Sequence, residues 1–142
     1  MTLFKSISKI AIGLSLVVSA VAFAETAVIV SASNGNSALD RETIERIFTG
    51  KSNSFPDGTQ AIPVDQNEGN AAREAFNASV LGKSASQLKA YWSRLIFTGK
   101  GTPPKESGND ADVKDLVAKN PNLIGYVDAS VVDGSVKVVY TF

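Results

Sequence analysis

Two kinds of apolar spacing run along this chain. Ala27 to Ser31 (AVIVS) is short, β-branched and nearly continuously apolar, the pattern of a strand covered on both faces. A polar loop follows from Ala32 to Ser37. Asp40 is placed as an N-cap, with Leu39 before it and Ile44 after it set for a hydrophobic staple. Ile44, Ile47 and Phe48 then recur at helical spacing, and Gly50 ends that helix. Pro56-Asp57-Gly58 is turn chemistry and leads to a short apolar strand, Ala61 to Val64. A second helix is predicted from Asn70 to Leu81, burying Ala72, Ala75, Phe76 and Val80, with its stop at Gly82. The capping box Ser84-Ala85-Ser86-Gln87 opens a third. Its face is Leu88, Tyr91, Trp92, Leu95 and Ile96, the most apolar of the helical faces, and it reads as a core element that buries the Tyr91–Trp92 pair.

Lys100 to Gly108 is a long loop with two prolines. Asn109 or Asp110 caps a fourth helix carrying Val113, Leu116 and Val117, which ends at Asn120-Pro121. Leu123 to Val127 is a second strand of the buried type. Asp133-Gly134 turns the chain into a last one, Val136 to Phe142. Strands alternating with helices in the order β-α-β-α-α-α-β-β predict an α/β sheet with about four helices on its faces. The pentapeptide IFTGK occurs at Ile47–Lys51 and again at Ile96–Lys100. The structure between the copies differs, so the pair reads as two similar helix ends, not as a solenoid repeat.

The first 24 residues stand outside this pattern. Lys5 and Lys9 precede an apolar run, Ile10 to Val21, and Ala22-Phe23-Ala24 is an A-x-A cleavage site. This predicts a secretory signal peptide over residues 1–24, a single domain over 25–142, and a periplasmic location. An uncleaved N-terminal anchor is the alternative, and the clean A-x-A disfavours it. Without Lys5 and Lys9 the 14 basic residues fall to 12, against 14 acidic ones, a net charge of −2. That balance gives no reason to expect nucleic acid as a partner. The chain has no cysteine and no histidine. It therefore lacks the commonest general base and the commonest transition-metal ligand, and its stability comes from packing without disulfides. Serines sit at caps and turns, where no motif makes them nucleophiles. Asp110-Ala111-Asp112 lacks the glycine and glutamate of a calcium loop and fits better as helix N-terminal acids. The reading is of a protein without catalysis and without a cofactor.

One stretch does look like a site. Ala61 to Phe76 passes from strand through a polar turn (Asp65, Gln66, Asn67, Glu68) to Gly69 and a helix start. α/β folds place ligands at such junctions. The N–H groups of the first helical turn have no intrahelical partner and carry partial positive charge, so an anion is favoured there. The candidate donors are the backbone of Asn70, Ala71, Ala72 and Arg73 and the Arg73 guanidinium, with Gly69 allowing close approach. The competing reading is an ordinary helix start with Arg73 solvated or paired.

Ile47-Phe48-Thr49-Gly50-Lys51, Phe55-Pro56-Asp57-Gly58, Ile62-Pro63-Val64 leading to Gly69, and Leu123-Ile124-Gly125-Tyr126-Val127 together resemble the phosphate-type substrate-binding proteins of ABC transporters, in the periplasmic-binding-protein-like superfamily. The resemblance runs from Val28 to Val127. It implies one lobe of a two-lobed fold, with a mixed β-sheet flanked by about four helices. It also implies a small anion as ligand, phosphate in particular, and an ABC transporter permease or another envelope protein as partner. With one lobe, a homodimer is a further way to complete a cleft. The family's phosphate motif is an arginine, an aspartate, then Ser-Gly-Thr. Here the arginine position falls at Asp65 or Gln66, the aspartate at Glu68, glycine matches at Gly69, and Ser-Gly-Thr falls on Asn70-Ala71-Ala72. The ligand-binding set carried over in this way is Gln66, Gly69, Asn70, Ala71 and Ala72, joined by Arg73. Asp65 would stand beside the anion, and two unit charges about 4 Å apart repel by about 4 kcal/mol at an effective dielectric near 20. An envelope adaptor that keeps the fold and has lost the ligand is the alternative function.

Overall fold

The computed structural model describes residues 25–142, together with Gly13. Apart from Gly13, the predicted signal peptide therefore lies outside the described residues.

Strand β1 (Thr26–Ser31) is the axis of a five-stranded mixed sheet. On one side it pairs antiparallel with β4 (Leu123–Asp128), in register from Thr26 opposite Asp128 to Val30 opposite Ile124. On the other it pairs antiparallel with β5 (Val136–Thr141), with a bulge between Val28 and Ile29. β2 (Ile62–Asp65) lies parallel to β4, and β3 (Lys105–Glu106) lies parallel to β2 at the edge. The spatial order is β3-β2-β4-β1-β5.

All six residues of β1 are buried, and their alternation serves two cores. Val28 and Val30 point toward helix α1 (Arg41–Phe48) and helix α2 (Ala71–Phe76), where they meet Ile44, Ile47, Phe48 and Phe76. Ala27 and Ile29 point the other way, toward Val113 and Val117 of helix α4 (Asp110–Lys119). Each fully buried aliphatic or aromatic side chain contributes about 1.5–3 kcal/mol relative to exposure. The continuous apolar run of β1 thus reflects a strand sandwiched between helices. At β4 the close approach falls on Gly125, where a Cβ would come within 2.7 Å of Val113 Cγ1 and 3.2 Å of Val64 Cγ2.

The predicted elements are all present, with three differences. The helix expected over Asn70 to Leu81 is α-helical only to Phe76 and closes with a π turn, Asn77–Leu81. In its apolar face Phe76 and Val80 are buried, whereas Ala72 and Ala75 are half-buried. The loop expected from Lys100 to Gly108 contains the edge strand β3, too short to leave a periodic signature. The third difference is the largest. Helix α3 (Ala85–Phe97) carries the expected capping box at Ser84 and Gln87, yet Leu88 is its one buried residue. Tyr91, Trp92 and Leu95 are half-buried, and Ile96 is 54% exposed. α3 is therefore a flank of the molecule and not a core helix. It is held at one corner: the Tyr91 hydroxyl donates to the Thr49 carbonyl at 2.6 Å, and the Trp92 ring lies 3.4 Å from where a Cβ on Gly50 would be.

Candidate functional site

The C-terminal end of β2, the start of α2 and edge strand β3 converge on one group of charged and amide side chains. Asp65, the last residue of β2, points to the α1–α2 side of the sheet. There it accepts a hydrogen bond from the hydroxyl of Tyr126, which is wholly buried in β4. Burial pushes the Asp65 carboxyl above its ordinary pKa, against the opposing pull of the Tyr126 hydrogen bond and the Arg73 charge. Burial pushes the Tyr126 phenol up as well, and the Asp65 charge adds to it, so the phenol stays a donor.

Arg73 reaches into this group from the first turn of α2. Its guanidinium donates to the Gln66 carbonyl at 3.0 Å and pairs with Glu106 and, at 3.6 Å, with Asp65. Desolvation works against the guanidinium charge, but the Glu106 hydrogen bond and the two carboxylates outweigh it and hold the Arg73 pKa above its ordinary value.

Gln66 is 1% exposed and its side chain is a tie point. Its amide donates to Asp110 Oδ1 at 2.7 Å and to the Tyr126 carbonyl at 2.9 Å. Asp110 Oδ1 also accepts from the Asp128 N–H at 2.8 Å, so the start of α4 is fastened to the end of β4. The Asn70 amide donates to the Gly108 carbonyl at 3.2 Å and to Gln66 Oε1 at 3.4 Å. Asn70 thus gives no side-chain cap to α2. Among the described residues, no protein acceptor meets the N–H groups of Ala71, Ala72 and Arg73. Gly69, at φ +91°, makes the turn into the helix and has open space where a Cβ would be.

Of the six sequence candidates, Gly69, Asn70, Ala71, Ala72 and Arg73 therefore form one contiguous turn, while Gln66 lies beneath it in the interior. Glu106, Tyr126 and Asp110 join the group, though the sequence pattern did not place them in it. Tyr126 carried a signal: a tyrosine inside a buried strand needs a partner for its hydroxyl. Glu106 carried none, because its place depends on the pairing of β3 with β2.

The turn opens onto a cleft of about 460 Å³ between α2 and α3. Its walls are apolar, with Phe48, Leu81, Leu88, Trp92 and Pro103 among them. Its charged lining consists of Asp65, Glu68, Glu74 and Glu106 against Arg73 and Lys89. Trp92, Pro103 and Pro104 also border a second groove of about 560 Å³ that runs over β2 toward Leu116.

No protein-family model matches the sequence, and no curated protein does. Solved structures do match. A protein of Clostridium perfringens described as a phosphate ABC transporter substrate-binding protein, solved with bound phosphate, superposes at a TM-score of 0.65 with 27% identity, over 82% of this chain and 45% of that one. An ABC-type phosphate transport receptor of Vibrio cholerae matches at a TM-score of 0.63 and 20% identity, over 82% and 46% of the two chains. PstS of Borrelia burgdorferi matches at 0.59 and 10%, over 82% and 47%. The chain thus has the mixed-sheet α/β fold of one periplasmic-binding-protein-like lobe, the lobe that phosphate ABC transporter substrate-binding proteins carry over about half their length.

Proposed function

We propose that the chain is a periplasmic substrate-binding-type protein, without enzymatic activity, that takes a small anion at the β2–α2 junction, phosphate being the first candidate. The observation that carries this reading is the uncapped first turn of α2: among the described residues the N–H groups of Ala71, Ala72 and Arg73 meet no protein acceptor, and Gly69 and Arg73 of the same turn line the cleft. The fold likeness to a phosphate-bound structure supports it. To meet an anion, Arg73 has to exchange its contact with Glu106. That carboxylate is 50% exposed, and such surface pairs contribute only about 0–1 kcal/mol. In this reading an ABC transporter permease is the partner, and the A-x-A pattern at Ala22–Ala24 supports export. Calorimetric titration with phosphate, sulfate and small carboxylates tests the ligand. Saturable heat with phosphate at or below millimolar concentration is expected, and no heat at millimolar phosphate overturns the anion reading. Mass spectrometry of periplasmic protein tests export, with Glu25 expected as the first residue.

A second reading is favoured by a specific observation. Arg73 is already partnered by two carboxylates, and the C-terminal end of α3 is exposed and apolar at Ile96 and Phe97. An envelope interaction protein would have this combination: a neutralised site and an open surface. Absence of anion binding, together with capture of a protein partner through α3, would select it.

A further inference from the structure

The two copies of IFTGK end their helices alike and differ in what covers them. After α1, the Lys51 N–H donates to the Arg46 carbonyl at 2.9 Å, and Thr49 Oγ1 donates to the Glu45 carbonyl at 2.7 Å. After α3, the Lys100 N–H donates to the Leu95 carbonyl at 2.9 Å, and Thr98 Oγ1 donates to the Arg94 carbonyl at 2.9 Å. Yet Ile47 and Phe48 are 1% and 2% exposed, whereas Ile96 and Phe97 are 54% and 92% exposed. Phe97 stands between Arg94 and Lys100, both exposed. The end of α3 is an apolar knob with two positive charges.

The cleft beside it is the complement. Its walls are apolar, and its rim carries four carboxylates against two basic side chains. Knob and cleft are neighbours, because Ile96 lines the cleft and Phe97, the next residue, is not part of its lining. Phe97 does not fill the cleft of its own chain. A surface that carries both a feature and its complement side by side meets the requirement for a two-fold contact, in which the same patch is used by both subunits.

We propose that this face binds a second copy of the chain: the Phe97 of each copy enters the other's cleft, and Arg94 and Lys100 meet the acidic rim around Glu68 and Glu106. Charge complementarity selects this occupant. An acidic peptide or an anionic lipid surface would face the rim with its own sign. The cleft is completed by the partner's side chains, so the pair is part of the site and not only an oligomeric state. The inference uses the same cleft as the anion reading but does not depend on it: association is read by mass and anion binding by heat.

Sedimentation velocity on the purified protein, from low to high micromolar concentration, tests it. A monomer–dimer equilibrium is expected. Phe97→Asp should weaken it by about tenfold or more, as loss of a central aromatic anchor does. Raised salt should weaken it too. Phe97 is almost wholly exposed, so the variant should keep the wild-type circular dichroism spectrum. A protein that stays monomeric throughout, or a dimer indifferent to Phe97→Asp, overturns the proposal.

Discussion

Tyr126 donates its hydroxyl proton to Asp65 from the interior of the sheet, so a wholly buried phenol is satisfied by a carboxylate at the mouth of the cleft. The same hydroxyl accepts from the Gln66 N–H at 3.2 Å. One side chain therefore links the core stack to the junction, and disturbance on either side is felt on the other.

The pH dependence of stability follows from Asp65. Its pKa is raised above the ordinary value of 3.8, chiefly by burial, so the folded state prefers its protonated form. Its contribution is thus fully present below about pH 3.8 and is lost as pH climbs through the raised folded value. Asp65→Asn removes that titration. The stability of wild type relative to Asp65→Asn should fall as pH rises from acid toward neutrality. Urea denaturation of both proteins across pH checks this, and a difference that grows in favour of wild type would contradict it.

The anion site makes a paired prediction. Charge-assisted hydrogen bonds contribute about 1.5–3 kcal/mol, so Arg73→Ala should weaken phosphate binding roughly ten- to a hundredfold. Asp65→Asn should strengthen binding by removing a like charge. The two variants titrated side by side decide it. Tight phosphate binding that neither substitution alters places the site elsewhere.

Phe76 is the aromatic keystone of the larger core. It is 1% exposed and stacks on Tyr126 with ring centroids 4.2 Å apart and planes 7° from parallel. Phe76→Ala should destabilise by about 3–5 kcal/mol. Trp92→Ala, on the half-buried face of α3, should cost clearly less, on the order of 1–2 kcal/mol, because less area returns to water. Chemical denaturation of the two variants provides the ranking, and a larger loss for Trp92→Ala would reverse the assignment of α3 to the flank.

Gly125→Ala should destabilise by about 1–3 kcal/mol, because the new methyl meets Val113 across the tight β4–α4 contact. Val113→Ala in the same chain should return part of the loss. Two losses that simply add would show that α4 has room to move away.

The buried strands and the helix caps were legible in sequence because they are local. The run AVIVS, the Ser84–Gln87 box and the Asp40 cap each act within a few residues. The amphipathic stripe of α3 was legible as well, but its destination was not. Periodicity identifies an apolar face without identifying what covers it, and Leu88 alone finds the core. The IFTGK pair isolates this limit: one pentapeptide makes one cap geometry twice, and tertiary surroundings decide whether its phenylalanine is buried. At the junction, Gly69 to Arg73 could be located from the strand–turn–helix pattern. The pairing of Arg73 with Glu106 could not, because the partner lies 33 residues on, in a strand of two residues. Nor did the polar loop Ala32 to Ser37 announce that Asn34 and Asn36 are buried and bonded to each other, with Asn34 also donating to the Pro121 carbonyl at 2.8 Å.

The position of β1 at the axis of the sheet also governs when the fold can form. The first strand of the sheet is hydrogen-bonded on both sides to the last two in sequence, down to reciprocal 3.0 Å bonds between Thr26 and Phe142. A growing chain therefore holds its most apolar strand without either neighbour until β4 and β5 have been synthesised. Closing contacts across so much intervening sequence is slow, and slow closure keeps the nascent chain open. Folding of this domain should wait until β5 has been made, with β1 unpaired until then.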